Sequence, residues 1–244
     1  MWLAKDERKA LTCRQNDSIM AEESKLWYLE NFNLLKGLDK QDMEYVEKNT
    51  TMRNVEHGKY IYFPHEPSSA VYFLKKGRIK IGSYSPEGRQ IIKAILGKGE
   101  IFGELSLTGE SERTDFAQAL DDSLICALPF TEMEKLMERN SSLGLRVTKL
   151  IGLRLRRMER RLKDVVFKDA RTRVIDLIKE MAETHGRKVG FEVLVDHNLT
   201  HQDIANLTAT SRQTVTTILN DLREKDLIYL RRKKILIRDI DKLE

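Results

Sequence analysis

Cysteine is nearly absent from this chain. Cys13 and Cys126 are the two it has, and they stand far apart in the sequence. They form no CxxC pair, no zinc knuckle and no cluster ligand set, which excludes a disulfide scaffold and fits a reducing, cytoplasmic setting. No apolar run approaches the roughly 20 residues that a membrane span needs, so a membrane is not an expected partner. The first twenty residues, MWLAKDERKALTCRQNDSIM, lack the apolar centre of a signal peptide and read as a loose extension over residues 1–21, with Met20 a candidate alternative start. The five histidines are scattered. His197 and His201 have the i,i+4 spacing of a metal pair, but Asn198, Leu199 and Thr200 between them read as the start of a helix and not as one helix face, so no metal site is expected. No nucleophile–base set and no phosphate loop appears, which argues against an enzyme.

What is present is a well-mixed chain of 244 residues, 41% hydrophobic and 33% charged, long enough for one or two domains. The formal net charge of +5 is compatible with an anionic polymer as partner without requiring one. Residues 22–50 carry a helical pattern, with Leu26, Leu29, Phe32, Leu34 and Leu35 in one apolar set and Met43 and Val46 beginning another. From residue 51 to 128 the pattern changes to short runs rich in β-branched and aromatic residues, such as Tyr60 to Phe63 and Ala70 to Leu74. Gly58, Pro64, Pro67, Gly77, Gly88, Gly97 and Gly99 separate them, as in an all-β sandwich or barrel. Helical pattern resumes near Phe130. Between residues 141 and 168, Thr148, Ile151, Leu155, Met158, Leu162 and Val165 are spaced 3, 4, 3, 4, 3, the seam of a two-helix coiled coil. Packing of that helix on its own domain is the alternative. Arg154, Arg156, Arg157, Arg160 and Arg161 on its flanks are expected to be solvated or paired across the seam.

The most informative stretch is 200–219, THQDIANLTATSRQTVTTIL. Thr200 is an N-cap with Asp203 placed to complete a capping box. Ile204, Ala205 and Leu207 supply an inner face, and Ser211 caps a second helix with Val215, Ile218, Leu219 and Leu222 inside. The outer face of that second helix begins with Arg212 and Gln213 and continues with Thr216 and Thr217. Arg pairs with guanine O6/N7 and Gln with adenine N6/N7, so this face suits a DNA major groove, whereas an ordinary surface hairpin is the plainer alternative. Short β-like pieces at 191–195 and 228–230 flank it, and residues 234–238 pair with the second as a wing. Arg231, Arg232, Lys233 and Lys234 at the wing's tip suit phosphate contact, which is strong and blind to sequence.

This order of parts resembles the catabolite activator/FNR (Crp/Fnr) family of bacterial transcription regulators. The resemblance runs from about residue 25 to the end. It rests on Val55-Glu56-His57-Gly58 through Gly77, on Gly99-Glu100-Ile101-Phe102-Gly103-Glu104-Leu105-Ser106-Leu107 with Glu112-Arg113-Thr114, and on Ser211-Arg212-Gln213-Thr214-Val215. It implies an α+β fold in three parts: a cyclic-nucleotide-binding-type β-roll, jelly-roll-like, over residues 22–140; a long dimerisation helix over 141–168; and a winged helix-turn-helix over 169–244. The implied function is a homodimeric, ligand-modulated regulator of palindromic double-stranded DNA that works with RNA polymerase. A constitutive DNA binder with a vestigial roll, and a signalling subunit acting on a protein partner, are the competing readings.

The resemblance also implies residue roles. Phe102, Gly103, Glu104, Leu105, Arg113 and Thr114 match the family's phosphate-binding cassette, with Glu104 taking a ribose hydroxyl and Arg113 a phosphate. The plain alternative has Glu104 and Arg113 joined in an internal ion pair that caps an empty barrel. Met158 and Glu159 fall where cyclic-AMP-responsive relatives carry base-contacting hydroxyls, Ala94 replaces a barrel serine, and the cassette is one residue short. A cyclic nucleotide is therefore one candidate, another small anion or no ligand being the others. A lone Cys13 excludes the family's iron–sulfur cluster. Haem would need His57 or His65, and His57 reads as exposed. Thr200, His201, Gln202, Ser211 and Thr214 match positioning contacts on DNA. Gln213 and Thr217 depart from the family's usual Glu and second Arg. Ala209 stands in the turn where relatives often have Gly.

Overall fold

The computed structural model describes Phe32, residues 34–109 and residues 111–243. The expected extension over 1–21, with Cys13 and Met20, and the helical pattern at Leu26 and Leu29 lie outside the described residues. Helix α1 spans Lys40–Asn49 and buries Met43 and Val46, the second apolar set of the pattern over 22–50. Leu34 and Leu35 are buried in a turn ahead of it. Gly37 adopts φ +85° there, and the Asp39 carboxylate then accepts the Asp42 amide as N-cap, so the helix starts after the turn.

Eight strands follow: β1 (Thr51–Val55), β2 (Tyr60–Tyr62), β3 (Ala70–Lys76), β4 (Ile79–Tyr84), β5 (Gln90–Leu96), β6 (Ile101–Phe102), β7 (Phe116–Ala119) and β8 (Ser123–Pro129). They form two antiparallel four-stranded sheets, ordered β1-β8-β3-β6 and β2-β7-β4-β5. The continuous apolar runs in β3 and β8 follow from burial on both faces. Ala70, Tyr72 and Leu74 point into the roll with Ile61, Ile81 and Ile125. Val71, Phe73, Cys126 and Leu128 point outward into a second core, completed by Met43 and Val46 of α1, by Met133 and Leu136 of α2 (Phe130–Arg139) and by Leu143 and Val147 of α3. That second core anchors the root of α3, a 27-residue helix over Ser141–Phe167 capped by Asn140.

Asp169 caps α4 (Ala170–His185), and the helix-turn-helix is formed by α5 (His201–Thr208) and α6 (Arg212–Glu224). A third sheet orders β11 (Ile228–Arg231), β12 (Lys234–Ile237), β10 (Glu192–Asp196) and β9 (Gly186–Val189). Strand β9 is legible only with difficulty because it is an exposed edge, with no buried residue to mark a period.

The core of this domain contains Val174, Ile178, Ile204, Val215, Leu219 and Ile235, and Leu120 of the roll enters it. Lys80 of β4 reaches Asp203 of α5 at 2.7 Å, both side chains being buried. Arg78 holds Asp121 at 2.6 Å and donates to the Asp196 carbonyl. The Asn206 amide donates to Gln90 at 3.2 Å. Helix α5 is thus docked on the outer face of the second sheet.

Candidate ligand pocket and nucleic-acid interface

Phe102, Gly103, Glu104 and Arg113 converge inside the roll as expected. Gly103 has φ +75°, and a Cβ there would lie 2.9 Å from both the Ala70 carbonyl oxygen and Arg113 Nη1, so only glycine fits. Glu104 opens a one-turn 3-10 helix, Glu104–Thr108. Arg113 is only 3% exposed. Its Nη1 donates to the Gly103 carbonyl at 3.0 Å and its Nη2 to the Ala70 carbonyl at 2.6 Å. The guanidinium lies over the Tyr62 ring at 4.4 Å, which offsets part of the cost of burying the charge. Its Nε is buried without a hydrogen-bond partner. An orphaned donor on a buried cation fits an anionic group.

The plain alternative, a Glu104–Arg113 pair, is not what forms. Glu104 pairs with Arg154 of α3, and Arg154 also donates to the Ile101 carbonyl. Burial lowers the pKa of Arg154, while the nearby Glu100 opposes the shift. Tyr72 and Phe102 stack at 4.9 Å, with Tyr62 5.8 Å from Tyr72, so the interior is aromatic. Ala94 packs against this interior. Leu105 is half-buried and Thr114 exposed, the Thr114 carbonyl accepting from Ser83. Met158 and Glu159 are exposed on α3 and do not reach Glu104; Arg154, one turn earlier, does.

The flanking arginines need a correction. Arg154, Arg157 and Arg161 are neither simply solvated nor left to pair across the seam: Arg157 meets Glu100 at 3.4 Å and Arg161 donates to the Lys93 carbonyl, so three of the five fasten α3 to its own roll. Tyr62, Tyr72, Asp115 and Arg154 are the site residues that motif matching missed. Arg154 is readable as a cation flanking the seam, and Asp115 as the residue directly after the Arg113-Thr114 pair. The seam itself is uncovered. Leu155, Met158 and Val165 are about half exposed and Leu162 is 66% exposed, whereas Ile151 is partly packed on the helical core. Thr148 is exposed and donates to the Gly144 carbonyl.

At the other end, Thr200 and Asp203 form the capping box. Ser211 accepts the Thr214 amide at 3.0 Å. Arg212, Gln213 and Thr217 are exposed together on α6. Thr216 is not free on that face: its hydroxyl donates to the Arg212 carbonyl and bonds His201 Nδ1 at 3.0 Å, which ties the two helices together. Gln202 donates to Asn206. His197 and His201 do not converge as metal ligands, since His197 is buried and its Nδ1 accepts the Leu199 amide. Burial, helped by Arg78, pushes the His197 pKa down to about 4. Arg231 and Arg232 are exposed at the wing, Lys233 takes φ +63° at its tip, and Lys234 pairs with Asp196. His57 is exposed, with Nδ1 against the Leu120 carbonyl, and His65 is exposed beside Glu112.

Ala209 adopts φ 50°, ψ 49°, the left-handed conformation. Arg173 braces the turn by donating to the Thr208 and Ala209 carbonyls. A Cβ in that region costs about 1–2 kcal/mol, partly offset in a glycine variant by the greater freedom of its unfolded chain. Ala209→Gly is expected to raise stability by about 0.5–1 kcal/mol, read as a higher urea midpoint with an unchanged slope.

A β-roll with a buried, partly unpartnered arginine, followed by a winged helix-turn-helix with an exposed Arg-Gln face, defines a DNA-binding transcription regulator that carries a cyclic-nucleotide-binding-type domain. Residues 52–140 match the cyclic nucleotide-binding domain and residues 172–244 the Crp-like helix-turn-helix domain. The chain belongs to the Crp/Fnr family. It is 31% identical over 184 residues to the global nitrogen regulator of Nostoc sp., covering 75% of this chain and 82% of that one. To the CRP-like cAMP-activated global transcriptional regulator of Mycobacterium tuberculosis it is 27% identical over 210 residues, covering 86% and 94%. The solved structure of the c-di-GMP responsive global regulator CLP of Xanthomonas campestris superposes with a TM-score of 0.71 over 82% of this chain and 99% of that one, at 17% identity. Among the described residues no helix is long and apolar enough to cross a membrane.

Proposed function

We propose that the chain acts in the cytoplasm as a homodimer, that its roll takes a small anionic ligand, a cyclic nucleotide being the first class to try, and that ligand occupancy repositions two recognition helices on a palindromic site. RNA polymerase is the downstream partner this reading implies. The observation that carries it is the chain of contacts from Arg113, with its unpartnered Nε, through Gly103 and Glu104 to Arg154 on α3. A ligand hydroxyl on Glu104 competes with Arg154, and that contact sets how α3 rests on the roll. The seam of Thr148, Ile151, Leu155, Met158, Leu162 and Val165 then carries the change to the partner helix, because a ligand shifts an equilibrium by its differential affinity for two arrangements. The spacing of two half-sites follows the spacing of the two recognition helices. Relatives named as cAMP-activated and as c-di-GMP responsive show the ligand range to be screened.

A constitutive DNA binder is the second reading, favoured by one observation: the Nη groups of Arg113 and the carboxylate of Glu104 already have partners within the chain. A nucleotide panel in thermal shift separates the two, since a ligand at 100 times its Kd adds about 2.7 kcal/mol. Sedimentation is expected to give a dimer. Selection from random DNA is expected to return a palindrome with a guanine in each half-site for Arg212 but not TGTGA, because Gln213 bridges adenine where Glu would accept from cytosine. TGTGA half-sites would sink the specificity reading, and a monomer that ignores every nucleotide would sink the switch.

A further inference from the structure

The roll holds a second buried charge beside Arg113 that a simple phosphate seat does not need. Ala117 and Ala119 of β7 face the interior, while Phe116, just before them, packs against Tyr60 and Tyr84. Asp115 lies in the bend that leads directly into β7. Asp115 is buried, 7% exposed, two residues from the likewise buried Arg113. Tyr62 of β2 pairs in register with Ala117. Its ring underlies the Arg113 guanidinium, and its hydroxyl is buried without a hydrogen-bond partner, within electrostatic reach of the Asp115 carboxyl. Lys93 of β5 is the remaining charged group acting on Asp115, and among the described residues neither Lys93 nor Arg113 closes an ion pair with it.

We infer that Asp115 is the selectivity residue of the roll, a carboxyl that must take up a proton before a fully ionised phosphate-type anion can settle on Arg113. This rests on the ligand-sensing reading above. Two negative charges in one poorly solvated site do not both persist; one of them is neutralised. The phosphodiester of a cyclic nucleotide stays ionised through the whole range in which proteins are stable, so the proton goes to Asp115. Burial already raises the Asp115 pKa, against the pull of Lys93 and Arg113. An incoming anion raises it further, so anion binding takes up a proton and tightens as pH falls. Where the free carboxyl is ionised and the bound one protonated, the Kd falls tenfold per unit decrease in pH. At neutral pH the same carboxylate favours ligands that bring a donor or a cation towards Tyr62 over those that bring only an anion.

The test is calorimetric titration of the full chain with cyclic AMP and with cyclic GMP, at pH 5.5 and pH 8.0, for the wild type, Asp115→Asn and Asp115→Ala. Repetition in buffers of different ionisation enthalpy counts the protons. The wild type is expected to bind at least tenfold more tightly at pH 5.5, with net proton uptake. Asp115→Asn, which keeps the shape but not the charge, is expected to bind at pH 8.0 at least tenfold more tightly than the wild type, with the pH dependence gone. Unchanged thermal melts establish that the variants are folded. Equal affinities for wild type and Asp115→Asn at both pH values overturn this inference and leave the sensor reading intact. No binding of either nucleotide by any of the three proteins at either pH overturns the cyclic-nucleotide reading of the roll, and this inference with it.

Discussion

Lys80→Met is expected to destabilise the chain by about 3–5 kcal/mol, because it strands Asp203 as an uncompensated buried carboxylate. Asp203 accepts from Lys80 Nζ at 2.7 Å and from the Thr200 amide and hydroxyl at 2.9 and 2.7 Å. Burial pushes its pKa up, but the hydrogen bonds from Lys80 and Thr200 outweigh that and hold the carboxyl below the usual carboxylate range. A carboxyl with a depressed pKa contributes stability above its unfolded value and loses it as pH falls through the folded value, so the wild type gives up this contribution in acid. The same residue closes the capping box of α5, the first helix of the helix-turn-helix, so the loss reaches two domains. Asp203→Asn strands Lys80 and is expected to be destabilising in the same range. The double variant Lys80→Met, Asp203→Leu removes both charges and is expected to be more stable than either single variant, since a buried pair is often replaceable by packed apolar groups. Urea unfolding of these proteins, with the Asp203→Leu single variant added to close the double-mutant cycle, yields the coupling energy. Single-variant midpoints indistinguishable from wild type would show that the pair adds nothing.

That ion pair also marks the limit of what the sequence makes legible. The helix-turn-helix was readable because its signals are local: Thr200 three residues before Asp203, Ser211 before Arg212, and an apolar period through Val215 and Leu222. The roll was readable because turn glycines bound its strands, four of them, Gly58, Gly77, Gly88 and Gly99, taking positive φ. Asp203 was legible as a cap. Nothing within its own segment says that a lysine of β4 neutralises it, 123 residues away in sequence. Arg154 was likewise legible as a flank charge but not as the partner of Glu104, because a seam pattern says which helix face is apolar and not what its flanks meet. What carries no period went unread, as in the exposed strand β9 and the turn ahead of α1.

Arg212→Ala is expected to abolish sequence-specific binding while leaving general affinity for DNA largely in place. Arg212 is the first residue of α6, directly after its Ser211 cap, and it is exposed beside Gln213. A bidentate bond to guanine O6 and N7 gives about 1–3 kcal/mol of discrimination, so a dimer without it in each half-site gives up about 2–6 kcal/mol, roughly 30-fold to 10⁴-fold. Arg212→Lys is expected to rescue little, because a single ammonium does not reproduce the planar fork. Arg232→Ala at the wing is the contrasting case. It is expected to weaken specific and nonspecific DNA alike, and to reduce the steepness of log K against log salt by about 0.9 for each phosphate no longer neutralised, twice over in a dimer. Gln213→Glu separates position from affinity: it is expected to move the preference at one base pair from adenine towards cytosine without a large change in the best affinity. Fluorescence anisotropy with the selected palindrome and a scrambled duplex, across a salt series, reads all four variants. Wild-type affinity of Arg212→Ala for the palindrome would remove Arg212 from the base-reading face and return α6 to the role of a surface helix held by Thr216 and His201.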